Sequence, residues 1–146
     1  MKGFKGAVLR RGVRVFALLG AITLSSATAA LGQTNSTDSE YLSGLYGFLR
    51  SQDAITYTLA TREMTDEQNI WAAQSFCQAF ASGVSPADVY SVFTSAAFSE
   101  ASNQGTAITE EIAYAIGLYG GSVMTLGATH YCPQYQPQVQ QALRSR

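Results

Sequence analysis

Cys77, His130 and Cys132 are the side chains of this 146-residue chain with the most chemistry to offer, and their small number limits it. Two thiols and one imidazole leave a four-ligand metal site incomplete without a carboxylate. Cys77 and Cys132 are not a C-x-x-C redox pair, and no lysine or arginine lies close in sequence to lower a thiol pKa. His130 is the only histidine. It could be joined with Ser122 and Asp88 into a triad on paper, but no G-x-S-x-G elbow or other nucleophile setting surrounds them. A position near the last turn of a helix, where an imidazolium complements the helix dipole, explains it more simply. The acid pairs Asp66-Glu67 and Glu110-Glu111 are adjacent, so on a helix their side chains diverge by about 100°. They read as first-turn acids rather than a catalytic carboxylate pair. There is no P-loop, and no G-x-G-x-x-G follows a strand. The expectation is therefore no catalytic residue, no cofactor-binding residue and no metal ligand. Cys77 and Cys132 remain. Two cysteines in an exported chain read most simply as one structural disulfide, with two free thiols as the alternative.

Export is what the N-terminus suggests. Five of the nine basic residues (Lys2, Lys5, Arg10, Arg11, Arg14) precede the apolar stretch Val15–Leu24, and small residues follow, with an A-x-A site at Ala27-Thr28-Ala29. That order is a secretory signal peptide over residues 1–29, with cleavage after Ala29 or, alternatively, after Gly32. About ten apolar residues are too few for a membrane-spanning helix, which needs about 20. Arg10-Arg11 admits a twin-arginine reading, but Arg14 interrupts the apolar residues expected after such a pair. No cysteine stands near the cleavage site for lipid attachment. The destination is the periplasm or the extracellular space, with no transmembrane anchor after cleavage.

From Leu31 onward four arginines stand against ten acids, a formal charge of −6, and there is no lysine. Such a chain cannot neutralise phosphates, so nucleic acid is not a partner. Residues 30–37 read as a flexible leader, and Asn35-Ser36-Thr37 matches a glycosylation acceptor, a triplet common by chance.

Helical signals organise the rest, with a helical domain over 38–137 and a tail over 138–146. The first helix spans about Asp38–Gln52, with Thr37 and Glu40 at capping-box spacing. Asp53–Met64 alternates weakly at Ile55, Tyr57 and Leu59 and is expected as an extended connector. The second helix starts at Thr65-Asp66-Glu67-Gln68, presents Ile70, Ala73, Cys77, Phe80 and Ala81 as one stripe, and stops at Gly83. The third is capped by Ser85 with Pro86 at N1 and Val84 and Val89 as a staple; Val89, Val92, Phe93, Ala96 and Ala97 form its inner face. A loop over Ser99–Thr106 follows. The fourth helix runs from about Thr109 to Tyr131 and is uncharged over Ile112–Tyr131. Four glycines and several hydroxyls dilute that run, so it is expected as the buried central helix and not a membrane span. Gly117 and Gly121, one turn apart, would let a neighbouring helix approach. Pro133 ends it, and Pro137, Val139 and Leu143 could support a last short helix. The fold class is all-α: a small orthogonal bundle of four helices, or five with the tail, stapled by one disulfide.

The sequence Ala73-Gln74-Ser75-Phe76-Cys77, then Gly83-Val84-Ser85 opening the next helix, and Ala128-Thr129-His130-Tyr131-Cys132-Pro133 at the close resemble the domain of unknown function 732 family, over about Asp38–Pro137. The resemblance implies a small exported bacterial helical domain held by a Cys77–Cys132 bridge. It implies no known activity and no catalytic residues.

Fourteen aromatic residues lie beyond Leu31, eight of them tyrosines. Tyr41, Tyr90, Tyr114, Tyr119, Tyr131 and Tyr135 are too many for the centre of so small a domain and are expected at the core boundary, hydroxyls in water. Two functions fit. One is a non-enzymatic module that binds an unidentified protein or envelope component through a helix face; the other is a small carrier of apolar ligands in a Tyr- and Phe-lined cavity between helices. An exported hydrolase is a distant third. The N-terminal reading predicts that protein recovered from the exported fraction begins between Ala30 and Gln33; N-terminal sequencing that returns Met1 refutes it.

Overall fold

Thr65, Ser85 and Thr109 each start a helix, as their positions before acids or glutamine suggest. The computed structural model describes residues 35–145; the expected signal peptide and leader residues 30–34 lie outside the described residues. The elements are α1 (Ser36–Gln52), α2 (Ala54–Thr58), a π-helical stretch (Leu59–Glu63), α3 (Asp66–Ala81), α4 (Pro86–Asn103), α5 (Glu110–Tyr131), a 3-10 turn (Pro133–Tyr135) and α6 (Gln136–Arg144). There is no strand among the described residues, and six α-helices stand where four or five were expected.

The caps account for most boundaries. Thr65 and Gln68 form a full capping box at the head of α3, Gln68 N–H donating to Thr65 Oγ1 at 3.2 Å and Thr65 N–H to Gln68 Oε1 at 2.8 Å. Ser85 caps α4 with Pro86 behind it, and Thr109 caps α5. At α1 the expected Thr37–Glu40 pair gives way to Asn35, whose side chain accepts from Asp38 N–H at 2.9 Å. Asn is the stronger cap, and its use starts the helix at Ser36, inside the expected leader. The expected loop over Ser99–Thr106 is helical as far as Asn103. Gly105, at φ 74°, is the real stop, with Thr106 N–H donating to Ala101 O at 2.9 Å.

The expected extended connector Asp53–Met64 is helical instead. Asp53 accepts from both the amide (2.7 Å) and the hydroxyl (2.6 Å) of Thr56, which caps α2. Thr56 and Ala60, four residues apart, are both fully buried. Helical spacing serves that burial, and it outweighs a three-residue alternation.

α5 is the centre; α1, α2, α3, α4 and α6 all pack on it. Among the described residues it is the one helix long and apolar enough to cross a membrane, and half of that apolar stretch is buried inside the bundle. Close approach depends on two glycines. A Cβ on Gly120 would lie 2.7 Å from the Phe93 ring, and one on Gly127 would lie 3.0 Å from Ala73 Cβ and 3.3 Å from its Cα. Of the expected pair, Gly117 does receive a neighbour, the Tyr90 hydroxyl at 3.0 Å, whereas nothing comes nearer than 3.9 Å to Gly121. The buried face of α3 is Asn69, Ala72, Ala73, Phe76 and Phe80, rotated from the expected stripe, so Ile70 and Cys77 are half-buried and Ala81 is exposed. On α4 the buried face is Pro86, Val89 and Phe93, turned away from Val92, which is 57% exposed; Ala96 is exposed too. α6 carries the fold beyond Pro137, with Val139 fully buried and Leu143 on the core.

Gly127→Ala is expected to cost about 1–3 kcal/mol, because α3 backbone must give way. Gly47→Ala, with nothing within 4 Å, is expected to gain about 1 kcal/mol from helix propensity. Urea unfolding of the two variants should shift in opposite directions; a shift of the same sign contradicts this packing.

Candidate functional site

Asn69 is a buried polar residue on the inner face of α3; three tyrosines bond to it and the ring of a fourth packs on one of them. Tyr119, from α5, donates its hydroxyl to Asn69 Oδ1 at 2.7 Å. Tyr41, from α1, donates to the Asn69 backbone carbonyl at 3.1 Å. The Asn69 amide donates to Ala60 O (2.9 Å), Thr65 O (3.0 Å) and the Tyr46 oxygen (3.2 Å). Tyr46 donates its own hydroxyl hydrogen bond to Asp66 Oδ1 at 2.5 Å. Ala60 lies in the π-helical stretch, whose carbonyl is thus met by a side chain. Tyr131, at the end of α5, donates to Asp38 Oδ1 at 2.7 Å and stacks at a tilt on Tyr41, ring centroids 5.3 Å apart. No buried side-chain nitrogen or oxygen among the described residues lacks a partner.

This network corrects the expectation for the tyrosines. Tyr41 and Tyr119 are central core residues, 0% and 2% exposed, while Tyr114 does stand in water. Burial, first of all, pushes the phenol pKa values of Tyr41, Tyr46, Tyr119 and Tyr131 upward; hydrogen bonds to Asp66 and Asp38 push Tyr46 and Tyr131 further in the same direction. Tyr90 and Tyr57 are engaged as well, Tyr90 donating to Gly117 O at 3.2 Å and Tyr57 accepting from Arg50 at 2.6 Å, with the guanidinium 4.9 Å over the ring.

The residues examined for catalysis are not brought together. The Ser122 hydroxyl donates to Leu118 O at 2.6 Å within its own helix, and Asp88 accepts from the Ser85 hydroxyl at 2.7 Å at the head of α4. His130 lies edge-on to Tyr41, ring centroids 6.3 Å apart. Among the described residues no group of three His, Cys, Asp or Glu side chains could hold a metal ion. Cys77 and Cys132 are joined by a disulfide, with their Cα atoms 5.8 Å apart. It ties the C-terminal part of α3 to the C-cap of α5.

An open cleft of about 590 Å³ lies where the turn between α3 and α4 meets α6. Phe80, Val84, Pro86, Tyr135 and Ala142 give it apolar walls, with Gln138, Gln141 and Ser145 among its polar lining. No charged side chain lines it, so it holds neither an acid nor a base.

Sequence reading missed Asn69 because an asparagine counts as polar in any search for an apolar stripe. The available signal was spacing: positions 69, 72, 73, 76 and 80 fall on one helical face, with the polar residue just past the Thr65 cap.

A family model described as "Protein of unknown function (DUF732)" matches residues 37–134. No curated protein and no solved structure matches the chain.

Tyr119→Phe leaves Asn69 Oδ1 buried without its donor and should cost about 1–3 kcal/mol; Asn69→Ala strands several groups and should cost more. The double variant should lose less than the sum, since both act on one bond. Phenols whose folded pKa lies above the unfolded value of about 10 bind their protons more tightly in the folded state. Their stabilising effect is therefore intact below pH ~10 and is lost as pH rises beyond it. Urea midpoints that fall above pH ~10, with the four tyrosines ionising only on unfolding, check this.

The bridge closes a sequence separation of 55 residues. Chain entropy for such a loop is about 4 kcal/mol, so Cys77→Ser and Cys132→Ser should each cost about 2–5 kcal/mol. Each single variant should resemble the double, since all three remove the same constraint; clearly additive losses in denaturant unfolding contradict this.

Proposed function

The chain belongs to the domain of unknown function 732 family, and on that premise we propose that it is an exported, non-enzymatic interaction module that binds a protein or envelope component through its outer surface. The observation that supports this reading is the use the fold makes of its tyrosines. Tyr41 and Tyr119 are spent inside the core as hydrogen-bonded struts, and Phe93 and Ala73 press against bare glycines of α5. Interior space that a carrier would need for a ligand, about 300 Å³ or more, is filled with side chains there. The cleft beside α6 opens to solvent instead of being enclosed between helices. The charged, apolar and small-residue order of residues 1–29 supports export, and a disulfide suits an oxidising compartment.

Site-specific photocrosslinking in the native envelope fraction tests the proposal. Crosslinker groups at exposed Gln74, Gln104 and Gln138 should give one discrete adduct from at least one position. A fluorescent fatty acid should not bind with saturable one-to-one stoichiometry. Saturable uptake of the fatty acid without any adduct would replace the module with the carrier.

A further inference from the structure

From Thr94 to Tyr114 no residue is buried. That stretch comprises the second half of α4, the turn around Gly105 and the first turn of α5. Ten helical residues, 94–103, correspond to an arm about 15 Å long at 1.5 Å per residue. Its apolar side chains do not join the main core: neither Phe98, Ile108 nor Ile112 belongs to the core cluster or to the residues packed against it. Two large hydrophobic residues in this region face solvent, Ile108 (40%) and Tyr114 (57%), and Val92 (57%) stands just before it on α4. Isolated exposed apolar residues are ordinary; here Ile108 and Tyr114 share one unburied hairpin with Glu100, Glu110 and Glu111. No lysine or arginine stands anywhere between Arg62 and Arg144. The arm thus combines exposed apolar surface with negative charge that no lysine or arginine of the same stretch balances.

Resting on the interaction-module reading, we infer that the α4–α5 hairpin is the docking arm, and that its partner is a protein segment presenting Lys or Arg beside apolar side chains, as a cationic amphipathic helix does. Charge complementarity decides the class. Three carboxylates at the arm repel an anionic lipid surface, and they repel the same arm on a second copy of the chain. A cationic helix can place apolar residues on Tyr114 and Ile108 while its cations meet the glutamates at the rim.

The test uses the ¹⁵N-labelled oxidised protein and three probes: a 14-residue Leu/Lys amphipathic peptide, the same peptide with Glu for Lys, and phosphatidylglycerol vesicles. The Lys peptide should shift amide resonances within 92–114, and its affinity should fall steeply from 50 to 500 mM salt. The triple variant Glu100→Gln, Glu110→Gln, Glu111→Gln should bind about tenfold more weakly, each rim charge accounting for a small factor. Since Glu110 and Glu111 also support the α5 N-terminus, Tyr114→Ser and Glu100→Gln give fold-neutral checks, and both should weaken binding. Glu40→Gln, on α1, should change nothing. Shifts centred on the α6 cleft, equal binding of the Glu peptide, preferential binding of the vesicles, or no binding of the Lys peptide would each overturn the assignment. If the assignment fails while crosslinks from Gln74 or Gln138 persist, the interaction module stands and only its docking arm is wrong.

Discussion

The burial of one uncharged helix governs this structure. α5 has no formal charge from Ile112 onward and is covered by five other helices. Removing it from water is favourable only if its neighbours come close enough to exclude solvent and if every polar group taken inside finds a partner. Glycine meets the first condition at Gly120 and Gly127, where the Phe93 ring and the α3 backbone occupy the place of a side chain. Asn69 meets the second. Its amide and carbonyl groups connect Tyr119 on α5 with Tyr41 on α1 and with Ala60 in the π-helical stretch. Both tyrosines can therefore bring large apolar rings inside without stranding a hydroxyl.

The charges of the molecule do a different job. Seven of the ten acids beyond Leu31 cap a helix or stand in its first turn: Asp38, Asp53, Asp66, Glu67, Asp88, Glu110 and Glu111. Arg50, Arg62 and Arg144 stand in last turns. Each sign lies at the helix end where the macrodipole favours it. Hydrogen bonds from Thr56 lower the Asp53 pKa, and local bonds at the α3 and α5 N-termini, the backbone amide first, do the same for Glu67 and Glu111. Net acidity is in large part a consequence of having many helix starts and few basic residues.

That division explains what was legible in the sequence. Helix starts are written locally, so Thr65, Ser85-Pro86 and Thr109 could be read from a few residues each, as could the stop at Gly83. The two cysteines were legible because so few pairings are open to two thiols. Features decided by distant partners were not legible. The face of α3 turns toward Asn69 because Tyr119 lies fifty positions away in the chain. Val92 looked like an inner residue because its spacing from Val89 fits a helix stripe, but the face α4 buries runs through Pro86, Val89 and Phe93 and leaves Val92 to one side. Asp53–Met64 looked extended because β-branched and aromatic residues alternate there, whereas the burial of Thr56 and Ala60 against other helices selects a helical turn.

The span of the tyrosine contacts also sets an order of events for a chain that is made from its N-terminus. Asp38 waits 93 positions for Tyr131, and Asn69 waits 50 for Tyr119. Until α5 is made, α1 and α3 carry apolar faces with nothing central to cover them, and Asn69 lacks the hydroxyl that bonds its Oδ1. The early helices can form and dissolve but cannot lock. Long-range closure of this kind delays folding until most of the chain is present. The same contacts that make the finished bundle tight therefore leave the unfinished chain loose.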